Sequence, residues 1–329
     1  MSKVIRFERL GGPEVLQIRD EPDADPGEGE VRIQVETIGL NRAEVMFRSG
    51  PYLFEPRFPS RIGYEAVGVI DAIGPGVDEI AVGDRVSTIP LFDLGKYGVY
   101  GQTAIVPAAM VTDYPESLTP VQAAALWMAY ITAYGALIDI GRIGPDTTVL
   151  ITAASSSVGL AAIQIAKAEG AQVIATTRTS IKRDALLKAG ADVVIATEEE
   201  PLIERVMDMT NGVGMNFIFD AVGGSLIEQL AEAAAPGAQI LEYGFLSGEP
   251  APFPAFTAVV KNLCVRGYTY FTIAGDPDKF ARCREYIFKG VRTGMLRPVV
   301  DKVFYLDEIV QAHRYLEAGG QNGKVVVQV

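Results

Sequence analysis

The stretch Thr152–Gly159, TAASSSVG, follows the apolar run Val149, Leu150, Ile151 and leads into LAAIQIAKAEGA, whose apolar residues recur at helical spacing. A strand, a small-residue turn and a helix in this order are the opening unit of a dinucleotide-binding sheet, where amides at the helix N-terminus hold a pyrophosphate. The usual fingerprint has glycine at three positions of that turn. Aligned on Val158 and Gly159, those positions carry Ala154, Ser156 and Gly159 here. Small residues keep part of the close backbone approach, and the hydroxyls of Ser155, Ser156 and Ser157 offer hydrogen bonds to phosphate oxygens. Gly159 retains the position where helix and strand pack most tightly. From the turn alone, a phosphate loop and a purely structural strand-to-helix connection both remain open.

The following strand favours the phosphate loop. About 20 residues past such a loop, NAD sites carry an acid for the ribose hydroxyl, whereas NADP sites carry a cation for the 2′-phosphate. Position 178 is Arg, flanked by Thr177, Thr179 and Ser180, with Lys182 and Arg183 close by. A planar guanidinium suits phosphate recognition. NADPH is therefore the expected coenzyme, although a solvated charged turn opening a helix would read the same.

Around this unit, strand-like and helical segments alternate: TVLIT, VGLAAIQIAKAEG, AQVIATT, SIKRDALLKAG, ADVVIA, LIERVMDMT, NFIFDAVGG, SLIEQLAEAA, AQILEYG and CVRGYTY. Continuous apolar strands between amphipathic helices mark a doubly wound parallel sheet covered on both faces. The first 120 or so residues differ, with short alternating runs such as EVRIQVETIG and YEAVGVIDAIG punctuated by Gly, Pro and Asp, the texture of an antiparallel β domain. Thr119 before Pro120 reads as the N-cap of TPVQAAALWMAYITAYGALID. After two further helices, the closing GKVVVQV is a strand that can return to the first domain.

A net charge of −12 repels polyanions, so neither nucleic acid nor an acidic membrane is an expected partner. AAALWMAYITAYGALI is uncharged but reads as short of a full membrane span, and MSKVIRFERLGG lacks a signal-peptide core, so a cytoplasmic protein is expected. Cys264, Cys283 and His313 are the only soft metal ligands, and their spacing does not resemble a zinc pair. Both cysteines read as buried thiols in a reducing compartment.

With these residues read, the chain resembles the medium-chain dehydrogenase/reductase superfamily, in its zinc-independent quinone oxidoreductase and enoyl reductase branches. The resemblance rests on GLNRAE (39–44), RIGYEAVGVI with IGPGV and VGDRV (61–86), TAASSSVG, NFIFDAVGG (216–224), ILEYGFLSG and GKVVVQV, in that order and spacing. It implies a GroES-like catalytic domain from both chain ends (1–122 and 271–329), an inserted Rossmann NADP(H)-binding domain (123–270), and a homodimer. Where zinc alcohol dehydrogenases carry a ligand Cys and a ligand His, this chain has Asn41 and Tyr64; the four-cysteine structural lobe is missing. Without a Lewis acid to bind an alkoxide, alcohol oxidation loses its main electrostatic aid, while hydride addition to an electrophilic carbon remains feasible.

The resemblance places Asn41, Tyr52 and Tyr64 as candidate donors to the oxyanion that hydride addition creates. Each has a structural alternative: Asn41 can close a turn, Tyr52 can be a packing aromatic, and Tyr64 can be half-buried framework. The resemblance also places Thr132, Tyr243, Gly244, Phe245, Phe271, Asn322 and Lys324 near the coenzyme, and leaves Glu65 a structural acid. The leading expectation is an NADPH-dependent reductase of quinones or α,β-unsaturated carbonyl compounds, with a small electrophile as its partner. A metal-free alcohol or aldehyde oxidoreductase and a non-catalytic NADPH-binding protein are the alternatives.

Overall fold

Period-two alternation builds the first part of the chain in the computed structural model, which describes residues 1 to 329. Its strands are β1 (Ser2–Arg6), β2 (Gln17–Glu21), β3 (Glu30–Gly39), β4 (Glu65–Ile73), β5 (Arg85–Thr88), β6 (Thr103–Pro107) and β7 (Val111–Thr112). Along β3 the side chains of Val31, Ile33 and Val35 point inward and are buried, while Glu30, Arg32 and Gln34 alternate with them. β3 pairs antiparallel with both β4 and β6, and β4 continues the sheet through β5 to β7. Between β3 and β4 lies the Arg42–Ser49 helix, which brings the GLNRAE motif into the interior. Gly39 ends β3 because nothing larger fits: a Cβ there would stand 2.0 Å from the Ala124 carbonyl oxygen and 2.8 Å from the Lys324 side chain.

The middle of the chain forms β8 (Thr148–Ile151), β9 (Gln172–Thr177), β10 (Val193–Ala196), β11 (Met215–Asp220), β12 (Ala234–Glu242) and β13 (Cys264–Gly267). They make one six-stranded parallel sheet in the order β10-β9-β8-β11-β12-β13. The chain winds outward from β8 in one direction and then outward from β11 in the other, which is the doubly wound arrangement. Its topological switch point therefore lies between β8 and β11. Val149, Leu150, Ile151, Val173, Ile174, Ile218 and Phe219 are buried without alternation, as strands covered on both faces must be.

The chain end then returns. β14 (Val300–Tyr305) and β15 (Lys324–Gln328) join the first sheet, with β15 antiparallel to β3 (Val326 opposite Gly39) and parallel to β14. The chain divides into one unit of residues 1–128 and 298–329 and a second of residues 129–297.

Four readings are revised by the structure. The Pro277–Thr293 helix, allotted by sequence to the first domain, packs in the second unit, where Lys279 pairs with Asp139 at 2.7 Å and Tyr286 donates to Glu169 at 2.8 Å. The stretch from Pro120 is capped by Thr119 and Gln122 in a reciprocal box, but it is interrupted, and a second helix runs over Trp127–Tyr134. Pro120–Ile140 is long and apolar enough by composition to cross a membrane, and most of it is buried inside the fold, as befits a core helix. Cys283 is buried as expected, whereas Cys264 is exposed, because it opens the edge strand β13.

Candidate functional site

At the switch point, the turn after β8 closes onto the Ser157–Ala168 helix. The Ser156 side chain caps that helix by accepting from the Gly159 amide at 3.0 Å, so the Ser157 and Val158 amides face outward at its positive end. Gly159 cannot be replaced: a Cβ would lie 2.6 Å from the Ala154 backbone. Ala153 adopts a left-handed conformation (φ 45°), folding the turn back so that these amides converge. On the neighbouring strand end, Lys182 donates to the Ser155 hydroxyl at 3.0 Å. Arg178 is exposed there beside Thr177, with a guanidinium that forms no ion pair. Thr152 donates to the buried Asp220 carboxylate at 2.5 Å, tying the loops after β8 and β11 together, and Asp220 also holds the Val222 and Gly223 amides.

Tyr243, at the end of β12, stacks on Phe219 with ring centroids 4.0 Å apart. Its hydroxyl is buried beside Ser156 without a hydrogen-bond partner, and burial pushes the phenol well above its ordinary range. A buried hydroxyl with no partner next to a helix N-terminus and two cations is the complement of a phosphate-bearing ligand. These residues fit a dinucleotide. Gly244 lies where a Cβ would come within 2.8 Å of the Ala221 carbonyl, Phe245 is exposed, and Phe271 is half-buried against Tyr270. Thr132 is buried within the Trp127–Tyr134 helix.

In the first unit, a buried polar cluster joins the end of β3, the start of β4 and the start of β15. Lys324 is an ammonium with 1% exposure; it forms an ion pair with Glu65 and donates to Asn41 Oδ1 at 2.6 Å. Asn41 Nδ2 donates to Glu65 Oε2 at 3.1 Å and reaches Glu44 Oε1 and the Gly39 carbonyl at 3.2 Å. Glu65 Oε1 accepts from the Met128 amide at 2.8 Å. The cluster engages two residues that the sequence places at the reaction site or the coenzyme. Asn41 spends its amide inside the cluster, so it is not the free oxyanion donor expected of it. Lys324, expected near the coenzyme, commits its ammonium to Glu65 and Asn41. Asn322, also expected near the coenzyme, carries a buried Oδ1 with no partner.

Tyr52 and Tyr64 do come together, with hydroxyls 3.1 Å apart. Tyr64 is fully buried, not half-buried, beside Phe92, while Tyr52 is half-buried in an aromatic group with Phe47 and Phe54. Burial raises the Tyr52 phenol to about 12, and it raises Tyr64 further, so both hydroxyls keep their protons at neutral pH. Sequence reasoning passed over Glu44. This carboxyl is fully buried, accepts from the Tyr64 amide at 3.1 Å, and is pushed up by burial to about 7. Its signal was a charged residue inside the GLNRAE motif, three positions after Asn41. The side chains at the zinc-ligand positions are an amide and a phenol, an ammonium stands beside Glu65, and no three His, Cys, Asp or Glu residues gather to hold a metal ion.

A β domain closed by both chain ends, and a doubly wound sheet with a cation-flanked phosphate turn, define the architecture of a nicotinamide-dependent dehydrogenase or reductase. Family comparisons agree: residues 27–116 match the alcohol dehydrogenase GroES-like domain, and residues 157–285 match the zinc-binding dehydrogenase family. Quinone oxidoreductase 1 of Escherichia coli is 36% identical, with 98% of each chain covered. The 2-haloacrylate reductase of a Burkholderia species is 30% identical over 99% of this chain and 98% of its own. The crystal structure of Escherichia coli quinone oxidoreductase complexed with NADPH superimposes with a TM-score of 0.93 at 31% identity, covering 99% of this chain and 100% of that one. The chain belongs to the quinone oxidoreductase family of the medium-chain dehydrogenase/reductase superfamily.

The polar cluster yields a stability prediction. Lys324→Met leaves the Glu65 carboxylate buried without its counter-charge and is expected to cost about 3–5 kcal/mol in urea unfolding, with Lys324→Met/Glu65→Leu recovering much of the loss. A single variant as stable as the parent would contradict the cluster.

Proposed function

We propose that the protein is an NADPH-dependent, zinc-independent reductase of quinones or of carbon–carbon double bonds conjugated to a carbonyl, with Tyr52 as proton donor. The observation that carries this reading is the Tyr52–Tyr64 pair at 3.1 Å, two protonated phenols, with Tyr64 at the position matched to the ligand His of zinc alcohol dehydrogenases. The bound coenzyme supplies the hydride. The amides of Ser157 and Val158, the Ser155 and Ser156 hydroxyls and the Tyr243 hydroxyl are assigned to its diphosphate, and Lys182 and Arg178 to its 2′-phosphate. Thr132, Thr177, Gly244, Phe245 and Phe271 are assigned to its remaining surface.

Hydride addition to a conjugated acceptor places negative charge on oxygen, and a phenol donates to that oxygen without needing a metal. Tyr64 orients the Tyr52 hydroxyl and polarises it. Asn41, Glu65 and Lys324 form the framework that fixes the segment carrying both tyrosines. The alcohol dehydrogenase reaction fits poorly, since Asn41 and Tyr64, at the positions of the zinc ligands in alcohol dehydrogenases, are an amide committed to the polar cluster and a phenol that keeps its proton, and neither removes a proton from an alcohol.

We also place the protein in the cytoplasm, as a homodimer. Two free thiols fit a reducing compartment. β13 is an edge strand with an unpaired side, and the adjacent Ala255–Lys261 helix exposes Phe256 (83%), Val259 (81%) and Val260 (66%), a surface suited to a second copy. Sedimentation velocity is expected to return a dimer, and Phe256→Glu/Val259→Glu a monomer; a parent protein that sediments as a monomer at micromolar concentration contradicts this assignment.

Steady-state assays with a simple quinone and a simple enone test the chemistry. Lys182→Ala/Arg178→Ala is expected to raise KM for NADPH roughly tenfold or more and leave NADH nearly unchanged, the loss of two charge-assisted phosphate contacts. Tyr52→Phe is expected to lower kcat on the enone by about a hundredfold with little change in NADPH affinity. Equal use of NADH and NADPH by the parent protein would overturn the coenzyme assignment, and an unaltered Tyr52→Phe would overturn the donor.

A further inference from the structure

We propose that Glu44 is a positioning residue that governs how readily the Tyr52–Tyr64 pair gives up its proton: the pair donates while Glu44 is neutral, and ionisation of Glu44 holds the proton back. This rests on the reductase reading above, in which Tyr52 is the donor.

The geometry comes first. Glu44 enters the interior from the Arg42–Ser49 helix and has no exposure. Its Oε1 accepts from the Tyr64 main-chain amide at 3.1 Å and from Asn41 at 3.2 Å, while its Oε2 is buried with no hydrogen-bond partner. A carboxylate with one oxygen unsolvated and unpaired is expensive to keep ionised, and a neutral acid is much less so. Lys324 is the cation that draws on Glu44, yet its ammonium is committed to Glu65 and Asn41. Burial accordingly outweighs the attraction of Lys324.

The other groups facing Glu44 are few. Glu65 opens β4 and shares Asn41 Nδ2 with it. Arg48, one turn along the same helix, is ion-paired to Glu317. Tyr100 is buried with an unpartnered hydroxyl, and His313, packed edge-on against Tyr100, is buried neutral with its imidazole pushed down to about 3. Tyr52 and Tyr64 complete the set. A charge on Glu44 raises the proton affinity of both, and Asp93 adds to the effect at Tyr64.

The proton balance follows. Hydride adds to the electrophilic carbon and the electron pair moves to the carbonyl oxygen. That oxygen, or the α-carbon of the enolate, takes the Tyr52 proton, and the Tyr52 phenolate, stabilised by the Tyr64 hydroxyl, is reprotonated from solvent. A phenolate beside a neutral Glu44 meets no like charge, whereas beside an ionised Glu44 it does. Raising the pH through about 7 therefore slows proton donation. For stability the sign is the same: the raised acid binds more protons folded than unfolded, so its contribution is greatest below the ordinary carboxyl range and is lost as pH rises through about 7.

Two measurements on the full chain decide the proposal. The first is the pH profile of kcat for NADPH-driven enone reduction in the parent, Glu44→Gln and Glu44→Asp. The parent is expected to lose about tenfold across the neutral range, the effect of one like charge at an intermediate dielectric. Glu44→Gln is expected to hold a level profile, and Glu44→Asp to keep the fall. The second needs no turnover: ultraviolet titration of the Tyr52 phenol, taken as the difference from Tyr52→Phe in each background, is expected to move to lower pH in Glu44→Gln. A Glu44→Gln profile that falls like the parent's, a level Glu44→Asp profile, or an unmoved Tyr52 titration overturns the proposal. If the parent reduces no acceptor at any pH while the titration still moves, the reductase reading fails and the link between Glu44 and the phenols stands.

Discussion

The buried ion pair between Lys324 and Glu65 is the constraint on which the first unit depends. It joins the last strand of the chain to the start of β4, and Asn41 bridges the pair from the end of β3. Two opposite charges removed from water repay their desolvation only when every remaining lone pair and proton is met. Here Asn41 accepts from the ammonium and donates to one Glu65 oxygen, and the Met128 amide donates to the other. The same contact explains why β3 must end in glycine, since the Lys324 side chain and the Ala124 carbonyl occupy the space a Cβ would need.

That arrangement also determines what chemistry the neighbouring residues can offer. An ammonium beside the one family acid disfavours a dication at the same place. Asn41 is fully engaged, so the proton-bearing groups left in the motif region are the Tyr52–Tyr64 hydroxyls and Glu44. All three are shifted chiefly by burial, upward, and so stay neutral further into the alkaline range than they would in water. A site of neutral donors suits a reaction that creates negative charge, and it suits poorly one that must remove a proton from an alcohol.

Much of the fold was legible because its periodicities are strong. The uninterrupted apolar runs of β8 and β11 announced a parallel sheet, and the alternation in β3 announced an antiparallel one. Small residues in the turn at Thr152–Gly159 still bend as a phosphate loop does, with Ala153 taking the left-handed conformation usually left to glycine. Less legible were features fixed by tertiary contact. Nothing in the letters around Lys324 distinguishes a coenzyme contact from a buried ion pair, because the partner Glu65 is 259 residues away. Cys264 looked like a core thiol in an apolar run, and only its place on an edge strand exposes it. Glu44 was passed over because a glutamate in a helix is ordinarily solvated, and its burial becomes visible only once β4 and β15 are packed over it.

The central claim is that this chain transfers reducing equivalents from NADPH to a conjugated acceptor without a metal, its own phenols providing the proton. Rapid mixing of the protein with one equivalent of NADPH and a simple enone or quinone, in the presence of a strong chelator, tests it directly. The account predicts stoichiometric loss of the reduced-nicotinamide absorbance at a rate the chelator leaves unchanged. NADPH that binds yet stays unconsumed across quinones, enones and aldehydes, or consumption that appears only when zinc is restored, would contradict it.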